Sequence, residues 1–257
     1  MHRFGVFKAD VLIDIVNFFG VPLLVIYFFS MFLYPWIDGR GSWIHVQATW
    51  DRWQSLNTGV LAFAASLLAF NISRFNANRQ RERDFAAAKA FLPSTLSELV
   101  GYFRLSAQSL MPLWNRHAVE NSDRAPPSLP TDYRETFANC IRHANPDVGS
   151  YLSKVLAQLQ VHDSRMTHAL VGKKNGIRQV TTNDAIIVYA YCVGELQVLV
   201  DRLFDFARNE GDFDDSRLTW DEFQNAYRTL GIQIEKLFVN DRMNLEGFTK
   251  RALSKQD

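Results

Sequence analysis

The run Asp212-Phe-Asp-Asp-Ser-Arg-Leu-Thr-Trp-Asp-Glu-Phe223 packs carboxylates densely enough to suggest a site for a hard cation. An EF-hand loop needs oxygen ligands at positions 1, 3 and 5, glycine at 6 for its sharp turn, and glutamate at 12. Counted from Asp212, position 6 is Arg217 and position 12 is Phe223, so both the turn and the last ligand fail. Thr219 with Glu222 three residues on is instead a capping box that starts a helix. The histidines, His2, His45, His117, His143, His162 and His168, are never four residues apart and never beside paired cysteines, so the spacing of a zinc site is missing. Gly172-Lys173-Lys174 lacks the upstream glycine and the hydroxyl residue of a phosphate loop, and no Gly-x-Ser-x-Gly occurs.

An arginine followed by four to six residues and then a histidine, the pair of certain helical ribonucleases, occurs only as Arg40 and His45, outside any segment that reads as a cytoplasmic helix. Cys140 and Cys192 are far apart in apolar helical contexts and read as reduced thiols in a reducing compartment. No catalytic residue, metal or cofactor is therefore assigned, and the chain reads as a non-enzyme. Two charge clusters remain: Glu210, Asp212, Asp214 and Asp215 on one side, Lys173, Lys174 and Arg178 on the other. They read either as solvated loops or as a charge-matched contact with a partner or second subunit.

Charge is distributed very unevenly along the 257 residues. The whole chain has 28 Lys+Arg and 27 Asp+Glu, and only Arg3, Lys8, Arg40, Arg52, Arg74, Asp10, Asp14, Asp38 and Asp51 precede residue 76. The part beyond is charge-balanced, which gives no electrostatic case for nucleic acid. In the part before, Ile15–Ile37 and Trp53–Ser73 carry no charged side chain. A bilayer core takes about 20 helical residues, so both are long enough to span it. The first is too long for the apolar core of a signal peptide, and no small-residue cleavage pattern follows it.

Cations orient the pair. Arg3 and Lys8 precede the first span, and Arg74, Arg79, Arg81, Arg83 and Lys89 follow the second, against Arg40 and Arg52 between them. The positive-inside rule then puts both termini in the cytoplasm and the short connection outside, where Trp36, Trp43, Trp50 and Trp53 suit the headgroup level. Asp14 reads as an interfacial carboxylate, and Asn57 and Asn71 as groups that hydrogen-bond across the hairpin. Ser55, Thr58, Gly59, Ala62, Ala65, Ser66 and Ala69 set small residues at helical spacing along the second span. Such a stripe allows close helix packing in lipid, either against the first span or between chains.

The expected fold is all-α: an N-terminal two-helix transmembrane hairpin followed by a cytoplasmic helical bundle. Residues 1–75 form the hairpin, with spans about 13–36 and 53–74; 76–117 a juxtamembrane helical stalk; 118–131 a proline-rich linker; 132–257 the helical domain. Helix starts are expected at Thr131-Asp132, at Pro146 and near Thr182, and the apolar run 185–200 reads as a central core helix, the alternative being a segment that enters the membrane.

The pattern Trp53-Gln54…Gly59…Ala62…Ala65, the arginine cluster, and Phe85-Ala-Ala-Ala-Lys-Ala-Phe-Leu-Pro93…Leu96-Ser97 resembles a loose bacterial family of two-span inner-membrane proteins with helical cytoplasmic tails. Some proteins of that layout are antiphage effectors, including retron-associated ones, that damage the membrane when a sensing partner releases them. The resemblance implies a membrane effector of the bacterial inner membrane, with lipid, further copies of itself and a cytoplasmic protein regulator as partners. An inner-membrane scaffold holding a cytoplasmic protein is the other expectation.

Overall fold

A computed structural model of the chain describes residues 18–114, 125–171, 173–174, 177–178 and 181–255. Arg3, Lys8, Asp10 and Asp14 lie outside the described residues, as do 118–124 of the expected linker. The described fold is all-α apart from two ribbons of very short antiparallel strands, β1 (Lys173–Lys174) with β2 (Ile177–Arg178) and β3 (Phe238–Asn240) with β4 (Met243–Asn244). It divides into two compact units, Met1–Arg79 and Gln80–Asp257.

The first unit holds α1 (Phe18–Asp38), α2 (Trp43–Arg52) and most of α3 (Gln54–Lys89), a 36-residue helix that runs through the boundary. The expected outer loop is thus largely helical. Trp43, Val46 and Trp50 recur at three and four residues, which puts them on one face of α2, and Val46 is fully buried. The turn into α2 depends on glycine: a Cβ on Gly39 would lie 2.9 Å from both His45 and the Pro35 carbonyl oxygen.

In the second unit the core is built on α4 (Leu92–Leu110) against α7 (Asn183–Arg208). Leu92, Leu96, Leu99, Phe103, Ala107 and Leu110 are fully buried. Residues 92–110, expected as part of the juxtamembrane stalk, form a helix whose apolar face is buried in this core. Pro93 accounts for the break, since it has no N–H to continue a helix and sits comfortably in the first turn of the next. The apolar run 185–200 lies within α7 and buries Ile186, Ile187, Ala190, Val193, Leu196 and Leu199.

Packed on this pair are α5 (Tyr133–His143), α6 (Pro146–Val171), α8 (Trp220–Leu230) and α9 (Leu245–Ser254). Their termini follow sequence. Pro146 opens α6, Thr182 caps α7 through a bond from the Ala185 N–H, and Thr219 and Glu222 form a full capping box on α8. Glu222 also takes a bidentate pair from Arg202, at 2.6 and 2.9 Å, and the same guanidinium donates to the carbonyls of Ser216 and Arg217. The acidic turn is therefore pinned from below by a buried arginine. Asp214 accepts the Ser216 N–H at 2.8 Å within that turn. Cys140 and Cys192 are both free, and burial pushes the Cys140 thiol up to about 11.

The closest approach in the core is where α7 meets α8. A Cβ on Gly194 would sit 2.4 Å from Tyr227 Cε1, and Tyr227 is fully buried. Thr249 gives its one hydroxyl proton to the Leu245 carbonyl at 2.8 Å, so Tyr227 must donate to Thr249 Oγ1 at 2.7 Å. The ring is held at both ends and has nowhere to retreat. Gly194→Ala should accordingly destabilise the chain by about 1–3 kcal/mol through overpacking, read as a lower melting temperature in detergent. Gly101→Ala is the control: its position on α4 is exposed with nothing within 4 Å, and the gain in helix propensity should leave stability equal or higher.

Candidate functional site in the apolar helix pair

Both long helices of the first unit present apolar surface with almost no protein cover. An 18-residue window of α1 has mean hydropathy 1.8 with 6% buried, and one in the helical stretch from Gln54 has 1.5 with none buried. A core helix of a soluble protein would be buried instead, which makes these two helices long and apolar enough to cross a bilayer by composition and by exposure.

Within the first unit, the residues of α3 with reduced exposure are Asn57, Val60, Ala64, Leu67, Asn71 and Arg74, spaced alternately by three and four. Those of α1 include Gly20, Leu24, Tyr27 and Met31, spaced likewise. Two contacts join the stripes: the Tyr27 hydroxyl donates to Asn57 Oδ1, and a Cβ on Gly20 would be 3.8 Å from Leu67 Cδ2. Tyr27 meets Asn57 while Gly20 meets Leu67, so the helices run antiparallel along a coiled-coil-like seam. Asn57 was expected to bond across the pair, and Tyr27 is the partner that sequence reasoning missed. Asn71 Nδ2 donates to the Leu67 carbonyl of its own helix at 3.0 Å.

The small residues fall elsewhere. Ser55, Gly59, Ala62, Ser66 and Ala69, with Thr58 and Ala65 beside them, are all exposed, and a Cβ on Gly59 would meet nothing within 4 Å. Each of Gly59, Ala62, Ser66 and Ala69 follows a seam residue by two positions, about 200° round the helix. The stripe is thus on the side of α3 opposite its seam. Two of its three hydroxyls bond within the helix: Thr58 donates to the Gln54 carbonyl at 3.0 Å and Ser66 to the Ala62 carbonyl at 2.9 Å. The face is therefore lined by small, exposed side chains.

At the other end of α1, Pro35 creates a defect. In an α-helix its N–H would bond the Met31 carbonyl, and proline has none. The helix loosens there into a π-helical turn, Phe29–Leu33. The Trp50 indole of α2 donates to the Met31 oxygen at 2.8 Å, taking the place of the missing amide. Trp50 also lies 5.2 Å from the Phe32 ring and 5.9 Å from Trp43, which in turn lies 5.7 Å from Trp36. Three of the four expected interface tryptophans therefore form one aromatic run that fastens α2 to α1, and Trp53 stands half-exposed at the junction with α3.

The arginines occupy different settings. Arg79 stacks over the Phe75 ring at 5.1 Å, and Arg83 is exposed. Arg81, expected at the membrane interface, donates to the His143 and Ala144 carbonyls and so caps the C-terminal end of α5. Among the described residues no group of three or more His, Cys, Asp or Glu side chains is placed to hold a metal ion.

Fold and site together define an all-helical protein in which two long apolar helices precede a helical bundle. No known protein family, characterised protein or solved structure matches the chain.

The Trp50 bond carries a prediction. Trp50→Phe keeps a ring but leaves the Met31 carbonyl without its donor, a loss of about 1–3 kcal/mol where water is excluded. Amide exchange in α2 should rise by about tenfold or more, measured by mass spectrometry in lipid nanodiscs, whereas Trp43→Phe should leave it near wild type.

Proposed function

We propose that this chain is a membrane-anchored, non-enzymatic effector of the bacterial inner membrane. Its two spans form a hairpin with both termini in the cytoplasm, and its helical bundle controls self-association and hence membrane perturbation, in the manner of antiphage effectors. The observation that carries this reading is the bare small-residue face of α3, set opposite the seam that α1 already covers. In lipid there is no hydrophobic drive between helices, and small residues favour association by letting backbones approach closely. Packing against α1 leaves that face unused, so a second copy of the same face is its natural occupant. The passage of one helix, α3, from the first unit into the second supports a link between assembly of the bundle and assembly of the hairpin. The exposed Arg83 fits attraction to anionic headgroups, worth about 1 kcal/mol near the surface.

The test is inducible expression in a bacterial host with a membrane-potential dye. Full-length chain should depolarise the membrane, while residues 76–257 alone should not. Replacing Ala62 and Ala65 by leucine puts bulk on the small face without touching the seam, and should abolish depolarisation although the protein still inserts. A leucine variant that depolarises as strongly as wild type would refute the role given to this face. Silence from every form, with a stable cytoplasmic partner recovered in mild detergent, would favour a scaffold.

A further inference from the structure

A groove of about 310 Å³ lies between α6 and α7, wholly within the unit Gln80–Asp257. Its lining includes His162, 2% exposed, and Gln158, half-buried one turn before it on α6. Each has a buried polar atom with no hydrogen-bond partner among the described residues: Gln158 Oε1 and His162 Nε2. Such orphans cost free energy in an empty site and are compensated when a ligand supplies the missing bond. Val161 and Leu196 provide apolar walls. The rim holds one cation, Arg165, whose guanidinium donates to Cys192 Sγ at 3.2 Å, and one anion, Glu195.

We infer that this groove is a binding site for an amino-bearing nucleobase, as the free base or nucleoside. Gln158 Oε1 accepts from the exocyclic amine, and His162, with its proton on Nε2, donates to the adjacent ring nitrogen. That amine-and-ring-nitrogen edge belongs to adenine and cytosine, whereas a carbonyl in place of the amine would face Gln158 Oε1 acceptor to acceptor. The imidazole is suited to the task because it stays neutral: burial, with the Arg165 charge adding to it, lowers its pKa to about 4. A neutral floor between apolar walls favours a flat uncharged heterocycle. A rim with one charge of each sign gives no net pull on a phosphate, which is why the base or nucleoside is favoured over a nucleotide. The Cys192 thiol is held in its neutral form by burial and serves as packing rather than as a nucleophile. The inference rests on the groove alone and is independent of what the apolar helices do.

Calorimetric titration of the full-length chain in nanodiscs tests it, with adenosine and cytidine as probes and inosine and uridine as their carbonyl counterparts. Adenosine or cytidine should bind with a Kd below about 1 mM and at least about tenfold more tightly than its counterpart, the loss expected when a buried acceptor meets an acceptor. Gln158→Leu should weaken that binding by about tenfold or more. Ala157→Trp starts from an exposed position at the groove mouth and should abolish it while the ligand-free melting temperature is kept, which holds the test open even if Gln158→Leu loosens the packing. No binding by either amino-bearing probe, equal binding by the carbonyl probes, or binding that survives Ala157→Trp would each overturn the inference.

Discussion

Everything in the first unit depends on the mismatch between α1 and α3 and water. Their apolar side chains are exposed along nearly the whole of each window, so the surroundings they require are apolar too. In such surroundings every backbone polar group must find its partner inside the chain. At Pro35 the pair meets that condition by an unusual route: the proline withholds an amide, a π-helical turn absorbs the disturbance, and the Trp50 indole supplies the donor. The short helix α2 is thus more than a connection. It brings a hydrogen-bond donor back to the apolar helix that needs it, and Trp43 and Trp50 join Trp36 of α1 in the aromatic run at that end of the pair.

A second consequence concerns the two faces of α3. One is used by α1 and is marked by Tyr27 and Asn57; the other is smooth, small and exposed. A helix with one paired face and one bare small-residue face suits hairpins that assemble, and this is the physical basis of the proposed effector. The helical unit beyond Arg79 has its own core, in which α4 and α7 form the central contact and Gly194 permits α8 to close on α7. Arg81 belongs to that unit through its cap on α5.

Much of this was legible in the sequence. Two charge-free runs of sufficient length, the Thr219–Glu222 capping box, Pro146 and the apolar run at 185–200 each announced an element by a local rule, and local rules hold where neighbours do not compete. Four features were not legible. Residues 92–110 have the same apolar spacing whether they line a stalk or a core, and only the arrival of α7 from ninety residues downstream decides. Arginine at 81 is equally at home on a headgroup or on helix carbonyls, and the choice is made by α5, sixty residues away. The small-residue stripe was visible, but which face it occupies relative to α1 depends on the register set by Tyr27 and Asn57, which no local pattern encodes. The orphaned atoms of Gln158 and His162 are a case of the same kind, since α7 has to close over α6 to bury them.

The central claim, that the small face of α3 joins copies of this chain, is tested most directly by a cysteine scan. Single cysteines at positions 55 to 71, in a chain with Cys140 and Cys192 replaced by alanine, are oxidised in native membranes and resolved by non-reducing electrophoresis. The account predicts cross-linked dimers from cysteines at Ser55, Gly59, Ala62, Ser66 and Ala69, with little from Asn57, Val60, Ala64, Leu67 and Asn71. Cross-links at the seam positions instead, or none at any position, would contradict it.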